Sequence, residues 1–127
     1  LWRNEKTIYD PCPAGWRVPD GGDDGVWSTA KGSSSNYFDT YDGTDKGMNF
    51  SGKFGSASTI WYPASGDRDG DGDDGSPRYL CEVGYYWSAS PDDYACRLRF
   101  ESFGLVEPSR SSGRVCGFAV RCAREYI

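Results

Sequence analysis

Apolar residues along this chain fall in short clusters separated by runs of Gly, Asp and Ser, and within most clusters they recur at every second position. A period of two sends successive side chains to opposite faces of an extended strand. The clearest case is Tyr94 to Phe100, where Ala95, Arg97, Arg99 and Glu101 fall on one face and Cys96, Leu98 and Phe100 on the other. Tyr79-Leu80-Cys81 and Tyr85-Tyr86-Trp87 also read as strand, with Ser88 to Asp93 as a turn. At the far end, Phe118, Val120 and Cys122 alternate with Ala119, Arg121 and Ala123 in a closing strand. Trp2 to Tyr9 reads as an opening strand that stops at the turn signal Asp10-Pro11. Ser102 to Arg114, which contains Pro108, reads as a polar linker.

Helical spacing is confined to Val26, Trp27 and Ala30 ahead of Gly32, which predicts one short helix near residues 24–31. Cys12 to Pro19 sets Trp16 between prolines and predicts a rigid corner. Residues 32–47 read as a loop carrying Tyr37, Phe38 and Tyr41, and Phe50 to Tyr62 as short strands and tight turns. Gly66 to Gly75 is acidic low complexity and predicts a solvated loop. The fold class is therefore α+β and β-rich, with twisted antiparallel strands. At 127 residues the chain forms one domain, 1–127. A domain of this size buries roughly two-thirds of its unfolded surface and needs no cofactor to fold.

Charge and composition narrow the function. A net charge of −5 without a basic cluster argues against nucleic acid as a partner. No run approaches the ~18 apolar residues of a membrane span, so direct membrane insertion is not expected. Any export signal is expected to have been removed or to lie outside these residues. The sequence has no His, which takes away the commonest general base and the most frequent transition-metal ligand together, and the chain is read as not an enzyme. Acid-only carboxylate chemistry is the surviving catalytic route. Its nearest pair, Asp92-Asp93, sits in a predicted turn with nothing to raise a pKa. The 5 cysteines (12, 81, 96, 116 and 122) follow no zinc spacing and leave at least one unpaired. Aromatics at 16% with 17 Gly and 7 Pro fit a loop-rich extracellular domain in which disulfides are allowed.

Two motifs bear on metal binding. Asp67, Asp69 and Asp71 followed by Gly72, with Asp73 beyond, match the first half of a calcium loop, although Arg78 stands where that loop places a bidentate Glu. Ca²⁺ at Asp67, Asp69, Asp71 and Asp73 is the metal candidate, and a solvated Asp/Gly loop is the alternative. Glu107-Pro108-Ser109 is similar to the Glu-Pro-Asn motif of animal C-type lectins, but its third residue differs and no Trp-Asn-Asp follows. A proline turn between two strands is the expectation there. Arg97, Arg99, Arg110 and Arg114, with Glu101, Phe103 and Glu107, form an expected exposed mixture of charge and aromatic character. Such residues are favoured at binding hot spots.

The run Thr7-Ile8-Tyr9-Asp10-Pro11-Cys12-Pro13-Ala14-Gly15-Trp16-Arg17-Val18-Pro19 resembles the signature of the Fibrobacter major paralogous domain, a surface module of gut Bacteroidetes. The Tyr-Tyr-Trp-Ser-x-Ser block at Tyr85 to Ser90 and the closing Gly-Phe-x-Val-Arg-Cys at Gly117 to Cys122 resemble further motifs of that family. The resemblance implies a C-type lectin-like fold with chain ends on neighbouring strands, and a disulfide between Cys12 and Cys122. The chain starts close to the signature, so any preceding strands of the full module are expected to be missing or to belong to another segment. It further implies an adhesin at the cell surface, on an outer-membrane lipoprotein or a pilus tip, that takes a protein or glycan ligand on another cell or host surface. A structural tip or capping module among pilus or lipoprotein partner domains is the alternative, and a degenerate carbohydrate-active domain the third.

Some relatives are similar to the variable proteins of diversity-generating retroelements, in which template adenines are substituted. The residue types at Asp92, Asp93, Tyr94, Cys96, Arg97, Arg99, Phe103, Ser109, Arg110, Ser111, Ser112, Arg114 and Cys116 fit what an AAC codon yields under that process. With Glu101 and Glu107, these residues other than Cys96 and Cys116 make the C-terminal third the expected ligand-binding surface.

Overall fold

The computed structural model describes residues 5–22, 25, 27, 41–49, 61–68, 75–89, 95–102, 106–111 and 116–125. Among the described residues, ten short strands carry the architecture. In chain order these are β1 (Trp16–Arg17), β2 (Tyr41–Asp42), β3 (Gly47–Asn49), β4 (Trp61–Pro63), β5 (Asp67–Arg68), β6 (Pro77–Arg78), β7 (Val83–Ser88), β8 (Cys96–Glu101), β9 (Val106–Ser111) and β10 (Ala123–Arg124). They pair antiparallel as β1-β10, β2-β3-β4, β5-β6 and β7-β8-β9. The protein is thus β-rich, with almost no helix among the described residues. Of the described residues only Trp27 has α-helical geometry, and most of the expected helix at 24–31 lies outside them.

The largest sheet, β7-β8-β9, is built on the alternation read at Tyr94 to Phe100. Its register sets Gly84 opposite Phe100, Tyr86 opposite Leu98 and Ser88 opposite Cys96. That face meets Trp27, Met48, Tyr62, Ala64 and Val106 in the main core. Aromatic edges organise this core. Trp27 donates its indole N–H to the Tyr62 hydroxyl at 3.2 Å, the Tyr62 ring meets Tyr86 edge-on at 5.0 Å, and Tyr86 lies parallel to Phe100 at 6.3 Å. Buried phenols need partners, and Tyr86 donates to the Pro63 carbonyl at 2.7 Å. Burial raises the pKa of Tyr62 and of Tyr86, so both stay neutral donors and acceptors. Gly84 is required by close approach, because a Cβ there would stand 2.1 Å from the Phe100 ring.

Asp10 organises the corner. Its carboxylate accepts the N–H of Cys12 at 2.8 Å and of Val18 at 3.0 Å, and Lys6 Nζ approaches it at 3.2 Å. Burial opposes ionisation, but these donors outweigh it and hold the Asp10 carboxyl below its ordinary pKa. One side chain thereby ties the Lys6 end of the signature to Val18. The Cys12–Cys122 disulfide closes the same corner across 110 residues of chain. Around it, Val18 and Ala89 are fully buried, and Val120 packs on them. Beside it, β1 pairs with β10, and Glu125 N–H donates to the Gly15 carbonyl at 2.9 Å.

Several expectations fail for local reasons. The described part of the opening strand is a turn, with Ile8 91% and Tyr9 76% exposed, because Asp10 and Thr7 satisfy its backbone locally. The strand beside the closing segment is therefore the Trp16–Arg17 corner. Residues 41–49 form a hairpin where a loop was expected, since the Asp42 carboxylate accepts the N–H groups of Thr44 and Asp45 and shapes a turn. Tyr79 to Cys81 is also a turn, with Tyr79 at φ 54° and Cys81 at φ 64°.

Gly66 to Arg68 is no solvated loop. Asp67 is 5% exposed and Gly66 donates to the Val83 carbonyl at 2.7 Å. The polar linker contains β9, and Pro108 sits inside that strand where a turn was expected. The closing strand is shorter than its alternation implied, since Ala119 makes only an isolated bridge to Tyr86 before β10.

A candidate binding face on the three-stranded sheet

The sheet's second face carries five of the predicted recognition residues: Arg97, Arg99, Glu101, Glu107 and Arg110. Tyr85 lies opposite Arg99, Trp87 opposite Arg97 and Val83 opposite Glu101. On β9 the register shifts: Arg97 faces Arg110, whereas Arg99 faces Glu107. Two steps on β8 thus match three on β9, which is a β-bulge. Residues three apart on a regular strand point to opposite faces. The bulge cancels that rule and puts Glu107 and Arg110 on the face with Arg97 and Arg99. Pro108, within the shift, lacks an N–H for the ladder and so belongs at such a break.

Glu107 is the hub of this face. Arg97 donates to it at 3.0 Å and Arg110 at 2.8 Å, while Arg99 stands 3.8 Å away. Arg99 also pairs with Glu101. Burial works to raise the pKa of Glu107, but bonds and charge from Arg97 and then Arg110 outweigh it and hold the carboxyl below its ordinary value. The expected exposed face is therefore half sealed: Arg97 is 8% exposed and Glu101 5%, whereas the Arg110 side chain keeps 67% of its surface in solvent. Aromatic groups share the face and lie against its arginines. The guanidinium carbons of Arg97 and Arg99 lie 5.5 Å and 5.7 Å from the Tyr85 ring centroid. Each such contact contributes about 0.5–2 kcal/mol.

Phe118 completes the row, stacked on Tyr85 at 4.6 Å and tilted against Trp87 at 4.4 Å. It is held there by the backbone: Trp87 N–H donates to the Ala119 carbonyl and Ala119 N–H to the Tyr85 carbonyl. The segment around Ala119 thereby covers the outer edge of β7, and β7 is buried on both faces. Sequence alone assigns Tyr85, Trp87 and Phe118 to structural motifs. Their alternation, registered against β8, was the signal that places them beside the arginines.

At the Val83–Glu101 end of this face lies a hollow of about 360 Å³, lined by Arg78, Tyr79, Glu82, Arg99, Glu101 and Ser102 among others. Arg78 is bound to Asp67, with Nε at 3.2 Å and Nη2 at 2.6 Å from its two carboxylate oxygens. The residue in the bidentate-Glu position of a calcium loop thus neutralises that loop's first carboxylate, and Asp67 is already occupied. Asp69, Asp71 and Asp73 lie outside the described residues, as do Asp92, Asp93, Tyr94, Phe103, Ser112 and Arg114. Ser109 is half-buried on β9, and Ser111 pairs its backbone with Cys96. Cys81, Cys96 and Cys116 stand outside the disulfide: Cys81 is exposed, Cys96 buried and Cys116 half-buried. Comparison with protein-family models, with curated proteins and with solved structures finds no match to this chain.

Proposed function

We propose that the chain is a ligand-binding domain of the C-type lectin-like, Fibrobacter major paralogous type, displayed at the cell surface as an adhesin. Its recognition face is the Arg- and aromatic-rich side of β7-β8-β9. The observation that carries this reading is the bulge in β9. It spends a break in the ladder to bring Glu107 and Arg110 onto the face already holding Arg97, Arg99, Tyr85 and Trp87. Bulges that re-aim side chains are concentrated at functional edges. Three further features support the reading: chain ends joined through β1-β10, the Cys12–Cys122 disulfide, and a rigid opposite face that anchors the sheet in the core.

The ion pairs divide the face by role. Arg97 and Arg99 are held by Glu107 and Glu101 and build the platform, while Arg110 is the guanidinium with most of its surface in solvent. Recognition is therefore tested at Arg110. Labelled chain is applied to a glycan array and to intact epithelial cells, with Arg110→Ala in parallel. The variant is expected to lose binding while its urea midpoint stays close to that of the parent. Binding equal to the parent's on every surface the parent binds, or a parent that binds neither array nor cells, overturns the reading.

A further inference from the structure

We infer that the Trp87–Arg97–Arg110 end of the face binds an acidic sugar of a glycan, with Arg110 taking the carboxylate and Trp87 lying under the neighbouring ring. The inference rests on the recognition-face reading and gives it a ligand class. It starts from one rung of the sheet. Trp87 of β7 lies opposite Arg97 of β8, which lies opposite Arg110 of β9, so the three share a face. Neighbouring strands stand about 4.8 Å apart, so the indole and the outer guanidinium are rooted about 10 Å apart. That separation suits two linked sugar rings.

Charge selects an anion at the Arg110 end. Glu107 gives one oxygen to Arg97 and the other to Arg110, so two guanidinium groups share one carboxylate. Arg97 is buried, which leaves Arg110, with 67% of its side chain in solvent, as the cation a ligand meets. Arg110 donates to Glu107 through Nη1. Its Nε and Nη2, the parallel donors of the other edge, carry no bond among the described residues. That edge matches the two oxygens of a carboxylate. Glu101 does not cancel the charge, because it is paired with Arg99 and stands four residues along β8 from Arg97. Four residues of strand span about 13 Å, more than the ~8 Å screening length at physiological salt. A cation finds both Glu107 oxygens taken, and a neutral group leaves the outer guanidinium to water. The whole chain is acidic, at net −5, so an anionic glycan is drawn to this patch and repelled by the molecule at large.

The aromatic end distinguishes a sugar from an acidic peptide. Trp87 and Phe118 are half-exposed and tilted together at 4.4 Å, and Phe118 is stacked on the buried Tyr85. Their exposed parts form an apolar ledge, fixed by the two backbone bonds between β7 and Ala119. A pyranose ring offers such a ledge its C–H face while its hydroxyls stay in water. An aspartate or glutamate side chain offers the carboxylate alone. Glu107 holds the guanidinium and Ala119 holds the ledge before a ligand arrives, so little entropy is lost on binding.

The test follows backbone amides and the Trp87 indole N–H by NMR in isotope-labelled chain. The acid probes are cellobiouronic acid and 3′-sialyllactose, with cellobiose and lactose as neutral counterparts and Nα-acetyl-glutamate methylamide as the peptide acid. An acid sugar is expected to move the amides of Arg97 and Arg110 together with the Trp87 indole, to bind more tightly than its neutral counterpart, and to weaken as salt rises. Arg110→Gln, a change at an exposed side chain, is expected to weaken it about two- to fivefold. Equal binding of the neutral counterpart overturns the inference, as does an affinity unchanged in Arg110→Gln or the failure of both acid sugars to bind. A glutamate probe that binds as tightly as the acid sugars also overturns it, in favour of an acidic peptide. The two readings fail separately. If Arg110→Ala abolishes adhesion but neither acid sugar binds, the ligand class alone falls. If an acid sugar binds through Arg110 and Arg110→Ala adheres normally, the adhesin reading alone falls.

Discussion

Replacing Glu107 by Ala removes the carboxylate shared by Arg97 and Arg110 and takes an ion-pair partner from a guanidinium whose side chain is only 10% exposed. Breaking a fully buried pair by deleting one partner costs about 3–5 kcal/mol. Glu107 itself keeps 16% of its side chain in solvent, which reduces the expected loss to about 2–3 kcal/mol. Arg110→Ala removes the other partner, whose own side chain is 67% exposed, and leaves Glu107 paired with Arg97, so about 0.2–1 kcal/mol is expected. The gap of about 2 kcal/mol corresponds to roughly thirtyfold in the unfolding equilibrium.

Urea unfolding followed by Trp fluorescence measures both variants, with equal slopes certifying that the midpoints compare stability. The pH dependence supplies a second reading of the same contact. Glu107 has its folded pKa lowered from 4.5, so its contribution is fully present above pH 4.5 and is lost as pH falls through the folded value. Glu107→Ala is expected to show a shallower acid decline than Arg110→Ala, because it no longer carries that titration. Equal midpoints for the two variants, or an unchanged acid decline in Glu107→Ala, refutes the assignment of Glu107 as the hub.

Two further outcomes test the scaffold. Replacing both Cys12 and Cys122 with Ser opens a loop of 110 residues and is expected to cost about 4–5 kcal/mol on the chain-entropy model, read as the difference in urea midpoint; a variant as stable as the parent would show that the corner closes without the bond. Gly84→Ala drives a methyl to within 2.1 Å of the Phe100 ring and is expected to cost about 1–3 kcal/mol. Calorimetry reads this as a lowered Tm, and an unchanged Tm would mean the ring is free to move aside.

Much of the candidate site was visible in the chain itself, through the period-two pattern of Ala95 to Glu101. Alternation is a local property of extended backbone, so it placed Leu98 and Phe100 on one face and Arg97 and Arg99 on the other without any partner strand. It did not carry through to Arg110. From spacing alone Glu107 and Arg110 belong to opposite faces, and the bulge that unites them exists only against β8. Likewise Asp67 reads as one more acid in a solvated run, because nothing in the spacing marks Arg78 as its partner in the β5-β6 pair.

What the sequence determined by itself was therefore chemistry and local geometry: a His-free acidic chain, alternating strands, and a corner rich in proline with a cysteine at its head. The union of Cys12 with Cys122 entered through the family resemblance, and the structure brings their Cα atoms to 5.8 Å. Tertiary structure alone decided which charges are sealed and which are offered. Burial depends on what covers a face, and the cover over Tyr85 and Trp87 includes Phe118, which arrives from another part of the chain. A surface pattern can thus be read from neighbours in sequence, but the division of its arginines into platform and display is made by neighbours in space.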